Sequence, residues 1–197
     1  YKRQSWGYAP AVETNSTGDT IWWELQWTSQ EDANNAWGAW VQNEDAMAWE
    51  EKYASVLDCD GENRQLHDVA YPMASNAFGE LPDTGYFYAE IHICEFNDGA
   101  SKNDALGFLE GFNNAVNEGG YEETSYHYGN YFQQGNDDGF LWGNFTNSKE
   151  SMDKANVAFE ANVRDKMFPI FSEFATCGEV PDLYNGYTLY CCLLYTS

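Results

Sequence analysis

Tyr86-Phe87-Tyr88-Ala89-Glu90-Ile91-His92-Ile93-Cys94-Glu95-Phe96 is dense in aromatic and β-branched residues and predicts a strand. Alternation divides it into two faces, with Phe87, Ala89, Ile91 and Ile93 on one and Tyr88, Glu90, His92 and Cys94 on the other. The first face is wholly apolar and is expected to pack on helices, which leaves the second to line a cavity. Downstream, Ser101-Lys102-Asn103-Asp104 has the form of a helix capping box with Asp in the Glu position. Ala105, Leu109, Phe112 and Val116 follow at helical spacing, and Gly119-Gly120 ends that helix. Tyr121–Phe132 predicts a second strand, Gly135–Gly139 a turn, and Phe140–Phe145 a third strand. Ser148 caps a long helix with apolar positions Met152, Ala155, Phe159, Val163, Met167, Ile170 and Phe174. Pro169 is expected to kink or divide that helix. Gly178–Pro181 closes it, and Leu183–Tyr190 makes a last strand.

The resulting order, β-α-β-β-α-β, is the ferredoxin-like split βαβ plan. Working upstream, the chain compares with itself. Asp19–Trp23 lies beside Asp138–Trp142 at an offset of 119, with Ser29 beside Ser148 and Glu31 beside Glu150. After one deletion Tyr53 meets Phe171 and Cys59 meets Cys177. The shared order is aromatic strand, Ser-capped helix, long amphipathic helix and terminal cysteine. Strands are expected near Trp6–Val12, at Ile21–Trp27 and near Asp68–Tyr71, with Thr28-Ser29-Gln30-Glu31 as the capping box of the intervening helix. Four segments follow: 1–71 as the second half of a first repeat, 72–85 as a linker, 86–191 as a complete second repeat, and 192–197. The opening strand and helix of the first repeat are expected before Tyr1. Cys192–Ser197 match one reading frame of a common transposon sequencing adapter and are set aside as an expected scar, the mark of a metagenomic fragment.

On this element order the chain resembles the dimeric α+β barrel superfamily, which includes the antibiotic-biosynthesis-monooxygenase-like proteins. It is also similar to uncharacterised secreted proteins of marine bacteria. The resemblance implies tandem ferredoxin-like repeats forming a pseudo-dimeric α+β barrel, with helices outside and a cavity between the sheets. It carries no catalytic residue across, because no family motif is matched.

Asp and Glu total 32 against 9 Lys and Arg, a formal charge of −23 that repels phosphate backbones and anionic lipid surfaces. Nucleic acid is therefore excluded as a partner, and no stretch is long and apolar enough for a membrane span. The acids are scattered, no His/Cys spacing fits a metal, and no cofactor is expected. Trp22, Trp23, Trp27, Trp37, Trp40 and Trp49 are read chiefly as core.

Glu90 and His92, two apart on one strand face, are the candidate catalytic pair. Tyr88, Glu90, His92 and His127 are candidate ligand-binding residues, whereas His67 is assigned to the surface. A hydrogen-bonded polar pair in a wet groove is the plainer alternative. Among the cysteines, a Cys94–Cys177 disulfide is favoured, leaving Cys59 unpaired and implying an oxidising compartment. Two free buried cysteines are the alternative. The expected function is that of a non-catalytic, extracytoplasmic (periplasmic or secreted) acidic protein. Its barrel would be structural or bind a small apolar ligand. The alternative is a cofactor-independent monooxygenase-like enzyme acting on a small aromatic compound.

Overall fold

A computed structural model describes residues 4–13, 15–16, 18, 20–57, 61, 64–72 and 85–191. It is an α+β fold built on a curled antiparallel sheet, a half-barrel. The strands are β1 (Gln4–Pro10), β2 (Trp22–Gln26), β3 (His67–Ala70), β4 (Tyr86–Phe96), β5 (His127–Gln133), β6 (Gly139–Thr146), β7 (Ala175–Cys177) and β8 (Asp182–Cys191). The helices are α1 (Gln30–Trp40), α2 (Glu44–Tyr53), α3 (Lys102–Asn117), α4 (Lys149–Ala158) and α5 (Arg164–Phe174). The sheet runs β2-β1-β8-β4-β6-β5-β3, and β7 pairs with β4 off that path. Strand β4 is the long central member. Its first half pairs with β8, its last residues pair with β7, and its other edge pairs with β6.

Most element positions follow from local chemistry. Ser101 opens α3, where the Asp104 carboxylate accepts from both the Ser101 backbone N–H and its hydroxyl. Ser148 Oγ accepts from the Ser151 N–H at the start of α4. In the first half the cap is Ser29, accepting from Asp32 N–H, one residue later than the expected box. One long helix was expected after it. Two short ones form instead, because Asn43 turns its carbonyl onto the Asp45 and Ala46 N–H groups and starts α2.

The second predicted strand is also shorter than the sequence suggests. Residues Tyr121–Tyr126 form a loop, with Glu123 and Ser125 at positive φ and Thr124 Oγ1 bonded back to the Tyr121 carbonyl. Pro169 does not divide its helix. The irregularity is a π-helical turn at Phe159–Val163, which joins α4 to α5. Ala155, Phe159, Val163, Met167 and Phe171 recur every four residues, so each step overshoots the α period by about 40°. The wider π turn takes up that drift and keeps the stripe on the sheet. Ile170 is consequently 49% exposed, and Phe171 packs on the core in its place.

The two faces of the sheet are covered differently. Helices α3, α4 and α5 pack on the face carrying Cys94, Tyr128, Phe132, Phe140 and Trp142. There the Tyr128 and Trp142 rings lie 5.4 Å apart and within 5° of parallel. The concave face carries a smaller cluster of Tyr8, Phe87, Ala89 and Tyr184, against which Trp6, Ile91 and Phe145 pack. Three glycines make this possible. The rings of Tyr71, Phe145 and Phe87 lie over Gly129, Gly143 and Gly186, each where a Cβ would otherwise stand. Outside β2, Trp23 meets Trp40 and Trp40 meets Trp49 edge to face, but Trp22, Trp23 and Trp49 remain exposed, so these tryptophans form a surface cluster and not the core expected from the sequence. Cys59 and most of the segment read as a linker lie outside the described residues.

The Cys94–Cys177 disulfide is present, between directly paired residues of β4 and β7. Strand β7, absent from the sequence reading, resolves the difficulty that Cys177 follows an outer helix. The chain leaves α5 and pairs with the edge of β4 beyond the residues paired with β8, where Cys94 faces the helix layer.

The bridge closes a loop spanning 83 residues. The Cys94→Ala/Cys177→Ala variant should therefore lose roughly 2–5 kcal/mol in chemical denaturation. An unchanged midpoint on adding reductant to the wild-type chain would show that the bridge contributes nothing. Gly186→Ala should cost about 1–3 kcal/mol by forcing the Phe87 ring from its seat. A neutral outcome would mean that the ring relocates freely.

Candidate functional site

The two ends of the sheet curl towards each other, and a polar cluster forms where they meet. Glu24 lies on β2 with its side chain towards the concave face, as register requires: it pairs with Trp6, two residues before Tyr8 of the concave cluster. Tyr8 donates to Glu24 Oε2 at 2.6 Å. Tyr131, from β5 at the far end of the sheet, approaches the same oxygen at 3.4 Å. Tyr71, just beyond β3, approaches Oε1 at 3.4 Å and shares a 2.5 Å hydrogen bond with the Tyr131 hydroxyl. Gln26 donates to both Glu24 Oε1 and Tyr71 Oη. One carboxyl thus gathers three phenols and an amide from strands on opposite edges.

Electrostatics follow from this enclosure. Removal from water pushes the Glu24 carboxyl above the usual carboxylate range, although its four hydrogen bonds pull the other way. Burial, and then the facing Glu24 charge, hold the Tyr8 hydroxyl well above the ordinary phenol value. Burial does the same for Tyr131, with Tyr8, Glu24 and Tyr71 adding to it. The phenols therefore stay protonated near neutrality and act as hydrogen-bond donors. Such an arrangement can hold a proton on Glu24 or pass one to a bound group.

Next to this cluster the concave face opens. A broad cleft of about 680 Å³ is lined by His67, Ile93, Tyr131 and Leu141, with Glu95, Asp98, Asp137 and Asp138 also contributing. Ile93 is 51% exposed. His67, assigned to the surface from sequence, is half-buried with its ring edge-on to Tyr131, and burial lowers its pKa. It is thus neutral at physiological pH.

The sequence-derived candidates are split by the sheet. Phe87, Ala89 and Ile91 face the concave side, so Tyr88, Glu90 and His92 face the helices, the reverse of the expected orientation. Glu90 accepts from Asn156 of α4 at 3.2 and 3.3 Å, and burial raises its carboxyl pKa. His92 pairs with Trp142, a member of the helix-side core, and burial lowers its pKa. Glu90 and His92 share no hydrogen bond among the described residues. His127 is on the concave face by register, opposite Phe145, and its Nδ1 contacts the Ser125 carbonyl at 2.8 Å. Glu24, Tyr8, Tyr71 and Tyr131 were not singled out in the sequence. Alternation places Glu24 among apolar neighbours in a predicted strand, and that was the available signal. The fully buried Asn130 of β5 also escaped notice; its amide meets no protein partner among the described residues.

Because burial raises the Glu24 pKa, the residue favours the folded chain more when protonated at acid pH than when ionised at neutral pH. Its contribution is fully present below the unfolded carboxyl pKa and is lost as pH rises through the higher folded value. Glu24→Gln keeps an acceptor for Tyr8 without the charge. Its melting temperature relative to wild type should therefore be highest near pH 7–8 and decline as pH falls through the carboxylate range. A difference that does not vary with pH would show that Glu24 titrates normally.

No family model matches the sequence, and no curated protein matches it.

Proposed function

We propose that this chain is a non-catalytic, extracytoplasmic acidic protein whose half-barrel binds a small apolar ligand at the open end of its concave face. The observation that carries the reading is the contrast along that face. One end is filled by Tyr8, Phe87, Tyr184 and Phe145, while the other leaves Ile93, Leu141, Tyr131 and His67 around an open cleft. Its volume suits a drug-sized molecule. Acidic residues at the cleft argue for a neutral or cationic ligand. The disulfide favours an oxidising compartment, and no described helix is long and apolar enough to cross a membrane.

The strand order supports two ferredoxin-like repeats as the source of the half-barrel. Strands β8-β4-β6-β5 follow one another in the sheet as the fourth, first, third and second strands of one β-α-β-β-α-β unit. Strands β1, β2 and β3 would be the second, third and fourth of the other copy. The two would then join as a pseudo-dimer, β1 on β8 and β3 on β5.

A second reading, a cofactor-independent monooxygenase-like enzyme acting on a small aromatic compound, rests on the Glu24 cluster rather than on Glu90 and His92. A carboxyl of raised pKa beside three phenols could take a proton from a phenolic substrate.

A neutral hydrophobic dye such as Nile red tests the binding reading. Saturable, one-site fluorescence enhancement is expected, weakened about tenfold or more by Ile93→Asp or Leu141→Asp with the melting temperature held. Binding that is non-saturable, or indifferent to both substitutions, would sink it. Oxygen uptake with phenolic substrates, abolished by Glu24→Gln, would decide for the enzyme instead.

A further inference from the structure

Alternation along β4 places Ile93 and Glu95 on the concave face with Phe87, Ala89 and Ile91. Across the ladder Ile93 pairs with Leu141, Leu141 with Tyr131, and Glu95 with Gly139. The concave face therefore changes character along its strands. Above Ile93 it is filled by Ile91, Phe145 and Phe87. At Ile93, Leu141 and Tyr131 it is open and apolar. Two residues further along β4, about 7 Å, Glu95 joins the mouth of the cleft. The turn carrying Asp137 and Asp138 and the loop carrying Asp98 complete that mouth. The cleft is thus apolar at its inner end and acidic at its outer end.

The acids at the mouth lack the cations that acids elsewhere possess. Asp68 is met by Lys102, Asp153 by Lys149, Glu150 by Lys154 and Glu160 by Arg164. Glu95, Asp98, Asp137 and Asp138 are all exposed and join no ion pair among the described residues. No Lys or Arg lines the cleft among the described residues. A concave site edged by one sign of charge focuses its field on whatever enters. An anionic group is repelled there, a neutral one gains only from the apolar wall, and a cationic one gains from both ends.

We propose that the cleft takes an organic cation, an amine or quaternary ammonium carrying an apolar body. The body lies on Ile93, Leu141 and Tyr131, and the charged head sits at the mouth among Glu95, Asp98, Asp137 and Asp138. The inference rests on the reading of the cleft as a ligand site and adds the sign of the ligand and the direction in which it lies.

Three probes of one shape test it: phenylbutylamine, phenylbutanol and phenylbutyrate, titrated calorimetrically into the full chain. The expected result is one site per chain, with the amine at least about tenfold tighter than the alcohol, the carboxylate weakest, and the difference shrinking in about 1 M salt. The variant Glu95→Gln/Asp98→Asn/Asp137→Asn/Asp138→Asn should bring the amine down to the affinity of the alcohol and leave the alcohol unchanged. Removing four exposed acids elsewhere, as Glu51→Gln/Glu118→Gln/Glu122→Gln/Asp165→Asn, should alter neither. Equal affinity of amine and alcohol at one site overturns the cation and leaves the ligand reading standing. Saturable binding by none of the three overturns both. An amine preference that survives in both variants, or falls equally in both, reports attraction by overall charge and overturns the site at the mouth.

Discussion

Everything in this fold is organised by the double-sided pairing of β4. It pairs on one edge with β6 and on the other first with β8 and then with β7, so both edges are satisfied along nearly its whole length. Both of its faces carry apolar residues, Phe87, Ala89 and Ile91 on one and Cys94 on the other, and both are covered over most of the strand. One face takes α3, α4 and α5, and the disulfide ties its far end to the strand leaving α5. The other face is left to the sheet itself, which curls over it.

That curl depends on paired choices of ring and glycine. Residues on a concave surface converge, so side chains on neighbouring strands compete for space. Placing Gly129, Gly143 and Gly186 under the rings of Tyr71, Phe145 and Phe87 exchanges three side-chain positions for three flat aromatic contacts. Edge-to-face pairs of Tyr8 with Phe87 and with Tyr184 complete the filled end. The curl in turn brings β2 towards β3, and only this brings Glu24 to Tyr71 and Tyr131. The polar cluster is a consequence of curvature, built from residues that no local pattern connects.

The outward turn of Glu90 has a similar cause. Hydrophobicity alone argues that the face with Phe87, Ala89, Ile91 and Ile93 seeks the helices. The concave cluster with Tyr8 and Tyr184 takes that face instead. The helix layer then receives Tyr88, Glu90, His92 and Cys94. It accommodates Glu90 because α4 presents Asn156 as a donor, at the cost of a raised carboxyl pKa.

Sequence by itself determined most elements and their order, though not β7 or the division of α1 from α2. Capping residues Ser101 and Ser148, the turn at Gly135–Gly139 and the strand alternation of β4 act over a few residues, and local chemistry settles them. It also favoured the disulfide partners that the structure joins, although by an argument from repeats rather than from geometry. Tertiary structure alone decided which face of β4 lies inside, because alternation separates two faces without saying what will cover each. It alone decided the π turn, which answers a mismatch between side-chain spacing and the sheet beneath. It alone assembled Glu24 with Tyr8, Tyr71 and Tyr131, whose sequence separations reach 107 residues. Contacts of that range follow from the closing curvature of a whole sheet, and curvature is a collective property that no segment carries.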